Sequence, residues 1–401
     1  MIDINNHPIW KGNSYWGNIN PIKKRAHLLR FFLARQYAKL FSREMFVGVT
    51  GSVGKTITTA ACKQVLLEKF NTISTLTNLD TILNIPITLL KIRPKIKKVI
   101  LEMGVEYPGE MDFYLSMVKP ATGVVTKISL QHSVFLGGLE DIAKEKGKLI
   151  SQLPESGFAI LNYDDPLVRK LAETTKAQVI YYGIDSKNCH IWAGNIKINN
   201  FQTQFELNYG VERVEVRSNL LGVHQIYALL AASALGISQG LSLTTIKKGL
   251  EKVEPQEHRM QILDGFNNSL ILDDTHNGAF NAIEEALETL NYLPARRRIL
   301  VLGEMRELGE HSERLHRLLA QKIYKDKMDL VLLGKGNTKY IYDELMKLGF
   351  VQERIQTNLQ NPQIVAKLLK ILAKGDVVLL KGARLTRLDE VVQRITKVKK
   401  N

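Results

Sequence analysis

The stretch VGVTGSVGKTITTA, residues 47–60, constrains the fold more than any other part of the chain. An apolar, β-branched run breaks into a turn with glycines and resumes as a threonine-rich, helix-forming segment. A strand that ends in such a turn and leads straight into a helix aims backbone N–H groups and a helix N-terminus at one spot, and that spot holds phosphate. Thr50, Gly51, Ser52, Val53, Gly54, Lys55 and Thr56 make up the loop. Lys55 suits the β- and γ-phosphates of a nucleotide, and the Thr56 hydroxyl suits Mg²⁺. The strict GxxxxGK[ST] pattern would place glycine at 49, where Val49 stands, so the match is partial.

A loop of this kind belongs to an open parallel sheet, and the segments around it alternate accordingly. MFVGVT, KKVILEMGV and TGVVTKIS read as strands and KTITTAACKQVLLEKF as a helix, an order that puts helices on both faces of the sheet. Residues 178–220 change character: HIWAGNIKI and TQFELNY are short alternating runs that predict an antiparallel excursion, and the helix QIYALLAASALGI follows. Beyond Glu254 and Pro255, SLILDD, RRILVLGEM, MDLVLLGKG and GDVVLLKGA predict a second series of strands. The expected fold class is α/β, a central P-loop parallel-sheet ATPase domain with an antiparallel excursion, followed by a C-terminal Rossmann-like domain. The expected division is a short basic extension at 1–45, a central ATP-binding domain at 46–257 and a C-terminal domain at 258–401. Glu102 in VILEMG and His132 in TKISLQH follow apolar runs that should end at the carboxyl edge of the sheet, where ligands bind.

Of the 401 residues, 45% are apolar, enough for two or three cores. Cys62 and Cys189 have neither CxxC spacing nor a disulfide framework, no apolar run reaches the roughly 18–20 residues of a membrane span, and MIDINNHPIW lacks the features of a signal peptide. These features predict a cytoplasmic protein, with peripheral contact at the inner membrane face left open. The formal charge of +15 attracts nucleic acid, anionic bilayers and phosphorylated ligands alike. No recognition motif accompanies it, so nucleic acid is not expected. Lys23, Lys24, Arg25, Arg30, Arg35, Lys39 and Arg43 fall between Pro21 and Arg43 with no acid among them, and KIRPKIKK at 91–98 is a second basic run. Ile22, Ala26, Leu29, Leu33, Tyr37 and Leu40 share one helical seam, with Leu28, Phe31 and Phe32 off it. Residues 21–43 therefore read either as a basic helix lying on an anionic bilayer or as one packed on its own domain with its lysines in water.

Ten segments then occur in order: TGSVGKT, NLDTILNIPITLL, LEMG, the stretch from TKIS through His132 to GGLEDIAKEKGKL, LNYDD, LGVHQ, HRM, LDDTHN, LGEMRELGEHSERLH and KGARLTRLDEVV. Together they resemble the Mur ligases from about Phe46 to the C-terminus. LGEMRELGEHSERLH, at 302–316, is similar to the branch that adds D-alanyl-D-alanine to the UDP-N-acetylmuramoyl-tripeptide of peptidoglycan. The resemblance implies an amide ligase that uses ATP and Mg²⁺, works through an acyl phosphate, and joins a muramoyl-peptide-like carboxylate to a D-Ala-D-Ala-like amine. It implies that Lys55 and Thr56 hold phosphate and a first Mg²⁺, that Glu102 is a further ligand, and that His132 lies near a second Mg²⁺. Lys146 falls where the family carries a carbamylated lysine that positions the second ion; the other reading is a solvated lysine between Lys144 and Lys148. Arg259 matches the arginine at the start of the family's C-terminal domain, and Asp274 and Asn277 match the segment that faces ribose and adenine. Contributions from two domains imply closure around the nucleotide.

The sequence also departs from the family pattern. Gln225 and Ala228 stand where asparagines are common, His258 replaces a glycine, His276 a tyrosine, Lys148 an acid, and Ala383 the hydroxyl of a KGSR segment. About 45 residues precede the loop where the family carries a UDP-binding domain, so UDP recognition is not expected to carry over. Two rival readings remain. One is a ligase for another acceptor, of the folylpolyglutamate or polyglutamate synthase type, against which LGEMRELGE counts. The other is a non-catalytic nucleotide-binding partner protein, against which Lys55, Glu102, His132, Lys146 and Arg259 count.

Overall fold

The computed structural model describes residues 19–77, 79–129, 133–184, 188–199, 201–306 and 308–397. Two compact units emerge. Of the described residues, the first holds those up to 197 with 204–218 and 224–253, and the second holds those within 198–203, 219–223 and from 254 onward.

The first unit is built on β1 (Phe46–Thr50), β2 (Thr72–Ser74), β3 (Lys98–Glu102), β4 (Thr122–Val125), β5 (Phe158–Asn162), β6 (Gln178–Ile184), β7 (Ile191–Asn199), β8 (Gln202–Tyr209) and β9 (Glu212–Ser218), in the spatial order β2-β3-β1-β4-β5-β6-β7-β8-β9. From β2 to β7 every neighbouring pair is parallel. β1 lies between β3 and β4, with Val49 opposite Glu102 and Thr50 opposite Val125. That is a topological switch point, and it sets the loops after β1, β3 and β4 side by side. The reversal expected across 178–220 is narrower than the sequence reading: β7 still runs parallel to β6, and only the β7–β8 and β8–β9 neighbours are joined by two-residue links that antiparallel strands alone permit.

The helices of this unit that bear on the loops or pack beside them are α1 (Pro21–Ala38), α2 (Lys55–Leu67), α3 (Thr81–Leu90), α4 (Glu110–Met117) and α5 (Leu139–Ser151). α1 forms where the spacing predicts, capped by the Asn20 side chain, which accepts from the Ile22 N–H at 2.9 Å. Its packing face is the reverse of a seam-inward helix. Phe31, Ala34 and Ala38 are buried, with Phe31 edge-on to Phe113 at 5.1 Å between ring centres, while Ile22, Leu29, Leu33 and Leu40 stay exposed. Two alanines let the helix approach α3 and α4 closely, and one aromatic anchors it.

The second unit carries β10 (Gln261–Asp264), β11 (Leu270–Asp274), β12 (Arg297–Leu302), β13 (Leu330–Gly334), β14 (Ile355–Leu359) and β15 (Asp376–Lys381), ordered β10-β11-β15-β12-β13-β14. Only the β10–β11 pair is antiparallel. Along β15, Val377 and Leu379 pack into one core and Val378 and Leu380 into the core on the other face. Burial on both faces explains why these strands read as unbroken apolar runs. β15 sits between β11 and β12, so the loops after those three strands share one edge. The helices α6 (Phe280–Tyr292) and α7 (Ser312–Lys325) follow β11 and β12.

Candidate functional site

The loop after β1 is shaped by glycine. Gly51 has φ +144°, and a Cβ there would lie 1.9 Å from Thr126 Oγ1; Gly54, with φ +80°, caps the N-terminus of α2. Both positions demand a residue without a side chain. The segment after β4 fastens the loop: the Ser52 N–H donates to Lys127 O (2.6 Å), Ser52 Oγ to Ser129 O (3.0 Å) and Thr126 Oγ1 to Val53 O (2.6 Å). Thr50 is buried and donates its hydroxyl to Met103 O (2.7 Å), tying β1 to the end of β3. Lys55 folds back so that Nζ donates to Ser52 O at 2.8 Å.

Thr56 opens α2 and donates through Oγ1 to Glu102 Oε1 at 3.2 Å. Two hard oxygen donors beside a phosphate-shaped loop are the donor set that Mg²⁺ takes. Among the described residues no three His, Cys, Asp or Glu side chains converge to hold a metal unaided. An ion at Thr56 and Glu102 would therefore complete its shell with phosphate oxygens and water, as Mg²⁺ commonly does.

Lys146 lies on the inner face of α5 with Ile142, Ala143, Leu149 and Ile150, and is 2% exposed. Its Nζ donates to Val105 O at 3.4 Å. Burial, and then the positive charge of Lys55, bring the amine from 10.5 down to about 7 against the opposing pull of Glu110, Glu106 and Glu145. The solvated alternative is thereby excluded for Lys146. Its neighbours diverge from it: Lys144 is exposed, and Lys148 pairs with Asp112 and Glu145, each at 2.6 Å. Two carboxylates pin the loop that Lys146 touches. Glu145 accepts from the Gly109 and Met111 N–H groups (2.9 and 3.1 Å), and Glu110 from those of Glu106 and Tyr107 (2.6 and 3.1 Å). Burial foremost pushes the Glu110 carboxyl up to about 7.

In the second unit, His258 and Met260 flank Arg259 with φ of +61° and +50°, a left-handed backbone that side chains rarely adopt. Three contacts hold it there: His258 Nδ1 to Asp273 Oδ2 (2.7 Å), the His276 N–H donating to His258 O (3.1 Å), and the Met260 N–H donating to Asp274 Oδ1 (3.2 Å). Arg259 Nη2 donates to His276 Nε2 at 3.4 Å. Burial, followed by the charges of Arg259 and Arg384, lowers the His276 ring to about 4, so it meets the guanidinium as a neutral acceptor. Buried Lys381 donates to Asp274 Oδ2 (2.5 Å) and Asn277 O (2.9 Å), and Asn277 Oδ1 accepts from the Ala279 N–H (3.0 Å). The loops after β11 and β15 touch at Gly278, where a Cβ would lie 2.5 Å from Ala383 N.

The loop after β12 has its own brace. His316, fully buried on α7, donates from Nδ1 to Ser312 O (2.7 Å), which leaves Nε2 to accept the Met305 N–H (3.3 Å). Burial lowers its pKa, so the neutral tautomer that this pattern needs is the stable one. The brace keeps Glu304 at the edge, accepting from the Asn337 N–H (3.2 Å) and from Arg306 Nε (3.4 Å).

Thus Thr50 to Thr56, Glu102 and Lys146 gather in the first unit, and Arg259, Asp274 and Asn277 in the second; His132 lies outside the described residues. Asp273, Glu110, Glu304 and His316 were not singled out from sequence. The doubled aspartate of LDDTHN pointed to the first, and the Ser312 to His316 spacing of one helical turn pointed to the last. No local signal marks Glu110.

The family model for the Mur ligase middle domain matches residues 49–236, and that for the Mur ligase, glutamate ligase domain matches 258–384. The chain is 29% identical over 359 residues to the UDP-N-acetylmuramoyl-tripeptide–D-alanyl-D-alanine ligase of Escherichia coli (strain K12), covering 87% of this chain and 76% of that one. Against the enzyme of the same name from Bacillus subtilis (strain 168) the identity is 28% over 363 residues, covering 90% and 78%. Among solved structures, MurF from Acinetobacter baumannii superposes with a TM-score of 0.82 at 22% identity over 92% of this chain and 80% of that one. The MurF ligase of Thermotoga maritima in complex with ADP gives 0.80 at 23% over 92% and 83%. The two matched domains take in the loop at 50–56 and the segment around Arg259. The chain belongs to the Mur ligase family.

Proposed function

We propose that the chain is an ATP-dependent peptide ligase of peptidoglycan precursor synthesis that joins D-alanyl-D-alanine, or a close analogue, to the terminal carboxylate of a UDP-N-acetylmuramoyl-tripeptide-like substrate, releasing ADP and phosphate. The observation that carries this reading is the grouping in the first unit: a glycine-dependent loop, the Thr56–Glu102 oxygen pair and a buried lysine near neutrality. The relatives' names and the LGEMRELGEHSERLH segment support the choice of substrates.

In this mechanism a carboxylate oxygen attacks the γ-phosphorus and ADP leaves, giving an acyl phosphate. The dipeptide nitrogen then attacks the acyl carbon, a proton departs from nitrogen, and phosphate leaves with the former carboxylate oxygen. Both partners of the first step are anionic, so fixed positive charge at the loop is the main catalytic requirement. Lys55 contributes such charge, and Thr56 and Glu102 would hold Mg²⁺, which when bound adds Lewis-acid screening of the phosphates. With a pKa of about 7, roughly half of Lys146 is free base at neutral pH. A free amine bonds to the carbon of CO₂ and loses a proton, and the resulting carbamate is an anionic oxygen donor suited, with His132, to a second ion. Arg259, steadied by neutral His276, is assigned to the nucleotide phosphates, and the Asp274–Asn277 segment to the nucleoside. A dipeptide carries an ammonium and a carboxylate; Glu304 and Arg384, on loops after β12 and β15, are assigned to these.

Phosphate release should require ATP, Mg²⁺, the muramoyl-tripeptide and D-Ala-D-Ala together, and Lys55→Ala should abolish it while leaving the melting transition intact. A protein that binds nucleotide but releases no phosphate in the complete mixture refutes the assignment.

A further inference from the structure

The seam of α1 that turns outward is apolar and long. Ile22 is 77% exposed, Leu29 58%, Phe32 54%, Leu33 47% and, just past the helix end, Leu40 74%. Residues 22, 29 and 33 repeat at whole helical turns, so they form one stripe along the face opposite Phe31, Ala34 and Ala38. The flanks of that stripe are basic: Lys23, Arg25 and Lys39 are exposed. A second basic element lies against the same helix, because Tyr37 Oη donates to Ile92 O at 3.0 Å and so holds the segment after α3 at the C-terminal half of α1. There Lys91, Arg93, Lys95 and Lys97 are exposed, while Ile92 and Ile96 anchor the segment in the core. No acid occurs between Ile19 and Arg43 or between Thr81 and Leu101.

We infer that this face docks on an anionic lipid bilayer, with α1 lying in the plane of the interface, its leucines and Phe32 among the acyl chains and the lysines and arginines at the headgroups. An exposed apolar stripe bordered by cations on two separate elements is what such a surface selects. A second copy of the chain is a poor occupant, because two-fold pairing would set one acid-free basic segment against another. Nucleic acid would use the charge but leave the stripe in water. The face shares no residue with the loop at 50–56.

The test is co-sedimentation of the full chain with vesicles of phosphatidylcholine alone and with vesicles containing roughly 30% phosphatidylglycerol. The protein should partition onto the anionic vesicles only, and added salt should weaken the binding. Leu29→Gln with Leu33→Gln, both on exposed positions, should weaken partitioning by about tenfold or more. Arg93→Gln, Lys95→Gln and Lys97→Gln should each weaken it by about fivefold. Both sets should leave the melting transition and ATP affinity unchanged. The inference is overturned if the chain stays off anionic vesicles, or if it binds neutral ones equally. It also fails if Leu29→Gln with Leu33→Gln binds like the parent, as charge-only binding of nucleic acid or lipid would, or if that pair instead dissolves a dimer in solution.

Discussion

Replacing Lys146 by Met should make the folded protein more stable and the enzyme nearly inactive, and the two effects come from one property. An amine brought from 10.5 to about 7 has its free-base fraction at neutral pH raised by roughly three orders of magnitude. The same shift is a stability cost. Below pH 7 the lysine is protonated in both the folded and unfolded chains, and the fold bears the full penalty of a buried ammonium, on the order of 4 kcal/mol. Between pH 7 and 10.5 the unfolded chain binds more protons, so stability rises with pH through that window and the penalty is gone above it. Glu110 acts in the opposite sense and in a lower window: its carboxyl moves from 4.5 to about 7, so stability falls with pH between those values and is then level. Buried Cys62, Tyr114 and Tyr182 and half-buried Lys98 also bear on stability at alkaline pH, so it is the difference between parent and variant above pH 7 that isolates Lys146. Met keeps most of the stem and removes the charge, at the expense of the bond to Val105 O. In CO₂-depleted buffer without nucleotide, urea unfolding should find Lys146→Met more stable by about 2–4 kcal/mol at pH 7, with the difference closing toward pH 10. Ligation should fall by about 10³-fold. Parallel stability curves for parent and variant across pH 7 to 10 would refute the argument from burial.

Glu102→Gln should lower kcat/KM by about 10²-fold and raise the Mg²⁺ concentration needed for half-maximal rate, since it removes one of the two oxygen donors at the loop. Gly51→Ala should abolish ATP binding in calorimetry and cost about 2–3 kcal/mol in unfolding, because the new methyl meets Thr126 Oγ1 at 1.9 Å on a backbone at φ +144°. Arg297→Ala should cost about 2–4 kcal/mol in urea unfolding, because fully buried Asp376 loses the bonds from Arg297 Nε (3.0 Å) and Nη2 (2.5 Å) and keeps the Ala373 N–H (2.9 Å) and the more distant Arg296 (3.9 Å). His316→Leu leaves the Met305 N–H without its acceptor; it should cost about 1–3 kcal/mol and raise KM for the dipeptide more than KM for ATP in steady-state kinetics.

The strands were readable because buried parallel strands are continuous apolar runs and their order alternates with helices, and the glycine-dependent turn between β1 and α2 was readable because glycine, lysine and threonine occupy a fixed spacing at a strand end. α1 was readable as a helix but not in its orientation. Periodicity finds a stripe, and here each side of the helix has one: the larger, leucine-rich stripe faces water, while the smaller one, with Phe31, Ala34 and Ala38, fits against α3 and α4. Lys146 looked ambiguous among three lysines, yet its spacing from Ile142 and Leu149 places it in the apolar face of α5, and that face decides its burial. Glu110 and the brace at His316 depend on turns that fold back on the helix after them, four residues from Glu106 to Glu110 and eleven from Met305 to His316, and helical or strand periodicity does not encode such turns. The parallel pairing of β7 with β6 was hidden because β7 has the alternating pattern of an antiparallel strand.

Carboxylate activation by phosphoryl transfer is the central step of the proposed reaction, and oxygen tracing tests it directly. With both carboxylate oxygens of the muramoyl-tripeptide labelled with ¹⁸O, each phosphate released during ligation to D-Ala-D-Ala should carry one labelled oxygen. Unlabelled phosphate, or phosphate formed at the same rate without the tripeptide, would contradict it.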